Sequence, residues 1–201
     1  MDVGDTRVGD AGHHRRWWVA IGVWGVVVLG GMAALLTYEG APGAVVEAAE
    51  VWPEEAPFTL EGQPTMVMFL HPECACSMAT LSELERLLPE VRGRAAVHLV
   101  FSAPGKRLRS QAGRVEGAAI HEDKGATLAR RFGATTSGHA FVFDAAGIRV
   151  FSGGITAARG HEGRSDGGNA VRDALSAESP QVDTTPVFGC PLYELSEAPD
   201  A

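Results

Sequence analysis

The chain has 201 residues, 45% of them hydrophobic and 21% charged, with a formal net charge of -8, which suits one moderate globular core plus accessory segments. The acidic balance, with no basic block and no aromatic stacking array, excludes nucleic acid as a general partner. Three cysteines are too few for a cystine-stapled miniature fold and fit one reactive pair with one extra thiol.

Residues 1–16 are polar, rich in Gly and Asp, and predicted to be a disordered cytoplasmic tail. Residues 17–38, WWVAIGVWGVVVLGGMAALLTY, carry no charged side chain. A helix of that length spans about 33 Å, enough for a hydrocarbon core of about 30 Å, and Trp17, Trp18 and Tyr38 stand where interfacial aromatics belong. Arg15 and Arg16 precede the run, while Glu39 and Glu47 are the first charges after it. The positive-inside rule therefore predicts a single-pass anchor with a cytoplasmic N-terminus and the remainder outside. The run is longer than a signal-peptide core and no small-x-small cleavage site follows closely, so the anchor is expected to stay uncleaved. Beyond the membrane the cysteines meet an oxidising compartment, where structural disulfides and active dithiols both occur.

Residues 39–55, with Pro42 and Pro53 among Glu and Ala, read as a linker, and residues 58–60 as an edge strand. Residues 66–70, MVMFL, form an apolar extended run that enters a tight polar corner, HPECAC, and leaves as a helix. Its apolar positions Met78, Leu81, Leu84, Leu87 and Leu88 recur at three and four. A thiolate is stabilised by the unpaired amides and positive end of a helix N-terminus. The corner thus favours a reactive thiol: Cys74, ahead of the helix and the more exposed, as attacking nucleophile, and Cys76, partly covered in the first turn, as its resolving partner. Two buried cysteines acting as small apolar side chains fit poorly beside His71, Pro72 and Glu73. A C-x-C spacing also occurs in metal sites. As a disulfide it closes a small, strained ring that is easier to reduce than a structural bridge.

Downstream, residues 95–101 read as a strand in which His98 is a core or sheet-surface residue. Residues 102–119 read as a loop and irregular helix whose Lys106, Arg107, Arg109 and Arg114 make a solvated face. After IHED comes a helix over 124–132, the loop GATTSGHA, a strand at 141–143, a turn at 144–147, a strand at 149–152 and a terminal helix over 169–177. That order predicts an α/β layer fold with a mixed sheet, its cysteines at the C-terminal end of the first core strand, where open α/β folds place their sites. The Gly-rich stretch 151–170 holds Arg159, His161, Arg164 and Asn169. It is either a surface loop or a flap over the active edge, with Arg159 or His161 shaping access or lowering a thiol pKa. Residues 179–201 form a C-terminal extension whose part TPVFGCPLY, 185–193, is apolar enough to pack on the domain. Its Cys190 is an inert packing residue, a third redox partner or a third metal ligand.

The strand before the cysteines, CSMATLSEL after them, IHED followed by LARRFGATT, and the FVFDAAGIRVFSGG hairpin together resemble the thioredoxin superfamily. The likeness covers residues 56–178 and is nearest to membrane-anchored periplasmic proteins of the TlpA and ResA kind. The HP-x-C-x-C, TTSGH and FSGGIT-x-x-RGH stretches are similar to a bacterial group called RedB-like. The resemblance implies a thioredoxin-like mixed sheet flanked by helices, preceded by one transmembrane helix, at the bacterial inner membrane with the domain in the periplasm. Two departures stand out: C-x-C replaces the usual C-x-x-C, and Ser137, Gly138, His139 and Ala140 occupy the place of the customary cis-proline. In the superfamily that proline packs on the disulfide and keeps metal from the thiols. Its loss opens room and adds His139, which the fold would bring against Cys74 and Cys76 as a base or a thiolate-stabilising cation; His71 is a second candidate for that role.

Two functions compete, with a third behind them. The first is a tethered thiol-disulfide oxidoreductase acting on protein thiols or disulfides, with no cofactor; by family analogy its partners are cytochrome c maturation or metalloprotein assembly factors. The second is a copper or zinc binding protein using Cys74, Cys76 and either His139 or Cys190. The third is a non-catalytic thioredoxin-like interaction module. Hydride transfer, phosphoryl transfer and hydrolysis have no supporting motif.

Overall fold

The computed structural model describes residues 10–44, 46–103 and 105–194, and the chain divides into two compact units, residues 1–40 and 41–201. Residues 1–9 of the expected tail and 195–201 of the extension lie outside the described residues, as do the side chains of Lys106, Arg107 and Arg109.

In the first unit, helix α1 runs over Asp10–Glu39, and its stretch His14–Glu39 is long and apolar enough to cross a membrane. Trp18, Trp24, Val26, Leu29 and Leu36 are all exposed, so apolar side chains are not confined to one face as they are on an amphipathic surface helix. It begins several residues before Trp17, because extending a formed helix costs far less than starting one.

The second unit is built on five strands: β1 (Thr65–Leu70), β2 (Ala96–Phe101), β3 (Ala118–Glu122), β4 (His139–Phe143) and β5 (Arg149–Gly153). Their order is β3-β2-β1-β4-β5, with β1, β2 and β3 parallel and β4 and β5 antiparallel. Helices α2 (Cys76–Val91), α3 (Lys106–Ala112), α4 (Thr127–Phe132) and α5 (Asp166–Leu175) flank it. This is a thioredoxin-like mixed sheet, as the resemblance implied.

Strand β1 is central and buried along its whole length, which explains why it reads as a continuous apolar run rather than an alternating one. Met66, Met68 and Leu70 join Leu81, Leu84, Val142 and Val171 on the α2 and α5 face. Val67 and Phe69 join Phe132, Phe141 and Phe143 on the other.

The expected linker is packed. The Trp52 ring meets Phe58, Phe132 and Phe143 edge-on at 5.8, 5.7 and 5.2 Å, the Trp52 backbone N–H donates to Gly147 O at 2.8 Å, and the Arg149 guanidinium donates to Ala48 O at 2.6 Å. Proline density marks a lack of regular structure, whereas the apolar area of one Trp decides whether such a segment docks. No strand forms at 58–60; Phe58 instead stacks on His98 at 4.2 Å. The sheet gains β3, an edge strand with little burial and hence no alternation to reveal it. His98 and His121 pair across β2 and β3 at 3.0 Å, and burial first, then the His121 charge, lowers His98 to about 4.

Candidate active site

The cysteine corner is built from three segments. From the end of β1, the His71 N–H donates to Ser137 Oγ at 2.8 Å, the Cys74 N–H returns to His71 O at 3.1 Å, and the Ser77 N–H reaches Cys74 O at 3.1 Å. These bonds wind 71–77 into tight turns that deliver Cys76 as the first residue of α2. The Ser77 and Ser137 hydroxyls lie 2.7 Å apart and tie the corner to the loop before β4. In that loop the Gly138 N–H donates to Phe69 O at 2.8 Å. Its φ of +92° is one that residues with a Cβ rarely adopt, so glycine is required there.

The C-terminal segment supplies the third side. The Ser137 N–H donates to Cys190 O at 2.8 Å and the Leu192 N–H to Thr135 O at 2.8 Å, with an antiparallel bridge between Thr136 and Pro191. Arg159 Nη1 holds Gly189 O at 2.7 Å. So fastened, Cys190 directs its amide N–H at Cys74 Sγ, 3.4 Å away.

The three free thiols are electrostatically unequal. Burial alone would raise Cys74, but hydrogen bonds from the Cys190 thiol and amide and from the Ser77 hydroxyl and amide outweigh it, and the net displacement is below the ordinary 9.0. Cys76 is raised by burial, by the Cys74 charge and by its hydrogen bond to Cys74, against a lowering from the Arg159 charge and the Gly160 amide. Cys190 is pushed up to about 11, by burial and then by its hydrogen bond to Cys74 and the charges of Cys74 and Cys76. Cys74 is thus the acceptor at the centre of the group and the thiol that ionises first.

The exposures are the reverse of the sequence expectation. Cys74 is 2% exposed and Cys76 is half-buried, because the segment around Cys190 caps Cys74. The Gly-rich loop does fold over this edge: Arg159 acts on Cys76 and Cys190, whereas His161 is exposed. His71 lies in the corner, its Nδ1 accepting from the Glu73 N–H at 3.3 Å.

The loop carrying His139 reaches the corner, but the ring does not. Alternation along β4 sends Ala140 and Val142 to the α2 face and His139 to the opposite one, where it stacks on Phe141 at 4.1 Å and Nε2 meets Ser152 Oγ at 2.9 Å. There it borders a cleft of about 530 Å³ with Arg149, Thr185 and Val187. Among the described residues, no group of three or more His, Cys, Asp or Glu side chains is arranged to hold a metal ion. The hydroxyl contact between Ser77 and Ser137 was not foreseen, since single serines leave no periodic signal. The contact between Cys190 and Cys74 had only the apolar character of 185–193 to announce it.

The close approach of Gly189 makes this arrangement testable. A Cβ there would stand 2.0 Å from Ser137 O, so Gly189→Ala forces the strap off the loop and removes the Cys190 donors from Cys74. The Cys74 pKa is expected to rise towards 9.0, read as thiolate absorbance against pH. An unchanged titration would mean that Cys190 does not set it.

No family model matches the chain, and no curated protein matches it. Among solved structures it is similar to a hypothetical protein of Sinorhizobium meliloti at 19% identity, over 76% of this chain and 93% of that one, with a TM-score of 0.56. It is also similar to an uncharacterized conserved protein of Geobacillus kaustophilus at 15% identity, over 79% of this chain and 95% of that one, with a TM-score of 0.57. A looser likeness, at 12% identity over 59% of this chain and 84% of that one with a TM-score of 0.43, is to a secreted disulfide oxidoreductase of Mycobacterium tuberculosis. At such identities the likeness is one of fold.

Proposed function

We propose that the protein is a membrane-tethered thiol-disulfide oxidoreductase that exchanges disulfides with protein cysteines in the periplasm. The observation that carries this reading is the hydrogen-bonded Cys74 thiol, held below its ordinary 9.0 while its two neighbours are held above it. That inequality separates an attacking sulfur from resolving ones. Cys74 thiolate attacks a substrate disulfide and forms a mixed disulfide while releasing one substrate thiolate. Cys76 then attacks Cys74 Sγ, releases the second substrate thiolate and leaves the protein oxidised by two electrons. The reverse sequence oxidises a dithiol.

The apolar helix α1, with Arg15 and Arg16 just ahead of its apolar run, supports an inner-membrane anchor with the domain outside, where tethering raises the local concentration at membrane partners. Following the resemblance, those partners are cytochrome c maturation or metalloprotein assembly factors. The test is a titration of the full chain in detergent micelles against a glutathione redox series, with mass spectrometry of each cysteine and of bound metal. The expected result is a reversible disulfide at Cys74 with an assignable potential. Stoichiometric copper or zinc that shields the thiols and prevents pairing would assign the protein to metal handling instead.

A further inference from the structure

Cys190 lies 116 positions from Cys74 in the chain, yet its backbone amide bonds Cys74 Sγ at 3.4 Å and its thiol shares a hydrogen bond with the Cys74 thiol. We propose that Cys190 is a third redox-active thiol, which takes over the disulfide first made between Cys74 and Cys76 so that the resting oxidised protein links Cys74 to Cys190. This rests on the exchange chemistry proposed for Cys74 above.

Three features of the site support the transfer. A disulfide between Cys74 and Cys76 closes a ring around Ala75, whose backbone is helical at φ -60° and ψ -33°, with Cys76 already in α2. The Cys76 thiol reaches Cys74 by a hydrogen bond, but Cβ vectors two apart on a helical path diverge, and a disulfide closed across them stores strain and is more readily broken. Cys190 has no such restriction, because it arrives on a separate segment. That segment is already ordered: bonds from Ser137 to Cys190 O, from Leu192 to Thr135 O and from Arg159 to Gly189 O anchor three neighbouring residues. The reacting sulfurs are therefore held together rather than left to meet by chance. Finally, Cys74 is buried beneath this segment at 2% exposure, so Cys190 reaches it without any opening of the site.

The step is balanced internally. Cys190 gives its proton to solvent and its sulfur attacks Cys74 Sγ. The new bond forms between Cys74 and Cys190 as the bond between Cys74 and Cys76 breaks, and Cys76 leaves as a thiolate that then takes up a proton. The Arg159 guanidinium and the Gly160 amide partly offset the burial that raises Cys76, and so ease the departure of that thiolate. One disulfide is exchanged for another, with no outside oxidant or reductant. The product makes covalent the cover that the C-terminal segment already places over Cys74 when all three thiols are free.

The experiment oxidises the full chain in detergent micelles with glutathione disulfide, quenches in acid, alkylates and maps disulfide-linked peptides by mass spectrometry. The wild-type protein is expected to yield Cys74 linked to Cys190 with Cys76 alkylated, a result that needs no variant. Cys190→Ser is expected to form the Cys74 to Cys76 disulfide instead. Its equilibrium constant for oxidation by glutathione is expected to be about tenfold lower, roughly 30 mV for a two-electron couple. A wild-type disulfide between Cys74 and Cys76 with Cys190 alkylated would overturn the third thiol and leave the exchange reading intact. The absence of any reversible pair would overturn the exchange reading and the third thiol with it.

Discussion

Cys74→Ser is expected to reduce disulfide exchange by at least about a hundredfold, to the level of the uncatalysed reaction. The reason is the inequality of the three thiols. With the acceptor sulfur gone, exchange depends on Cys76 and Cys190, which lose the hydrogen bonds that lower Cys74 and are still raised by burial, the first cause for each. A thiol at the ordinary 9.0 is thiolate only to about one part in a hundred at pH 7, burial lowers that share further, and only the thiolate attacks. The double variant Cys76→Ser with Cys190→Ser has the opposite signature. It keeps the attacking sulfur and loses both thiols that could displace the substrate, so a mixed disulfide on Cys74 is expected to accumulate. A non-reducing gel with a thiol-bearing protein substrate reads both outcomes. Exchange by Cys74→Ser at the wild-type rate would remove Cys74 from the nucleophile's role, and a non-catalytic module would show no exchange in any of these proteins.

The second large effect lies on the other face of the sheet. His139 is lowered to about 3, by burial first and then by the Arg149 charge, whereas in the unfolded chain it titrates at its ordinary value of about 6.5. As pH falls below that value, the unfolded state takes up a proton that the native state refuses until about 3. Stability from the neutral ring is therefore fully present above pH 6.5 and is lost progressively as pH falls towards 3. The whole span amounts to on the order of 5 kcal/mol. The pair His98 and His121 adds to the same acid limb, since both are lowered by burial. Urea unfolding in detergent at pH 7 and pH 4.5 should show the wild type about 2 to 3 kcal/mol less stable at the lower pH from this ring. His139→Phe, which preserves the stack on Phe141, should remove most of that difference. An unaltered slope in the variant would mean that the ring is not buried neutral.

Helix α1 was legible because it is one unbroken apolar run, of the length that a membrane-crossing helix needs. The corner was legible too: an apolar strand, two cysteines and an amphipathic helix are consecutive, and each announces itself by local periodicity. Strands β2, β4 and β5 and helix α5 followed from the same signals within a few residues. Strand β3 did not, because an edge strand with little burial has no apolar alternation to display.

What the sequence determined by itself is therefore the local record: which segments are strand or helix, which run can span a membrane, and which two cysteines share a turn. Only the tertiary structure decided how those pieces meet. One residue of register in β4 turned His139 away from the cysteines and placed Ala140 on the α2 face, since adjacent side chains in a strand point to opposite faces. Trp52 docked a segment whose prolines suggested a free linker. The pairing of Thr135 and Ser137 with residues around Cys190 covered Cys74 and joined a third thiol to the pair. A contact across 116 positions leaves no local pattern, because periodicity reports only which face a residue presents, and complementary backbone groups and packing volume decide what that face will touch.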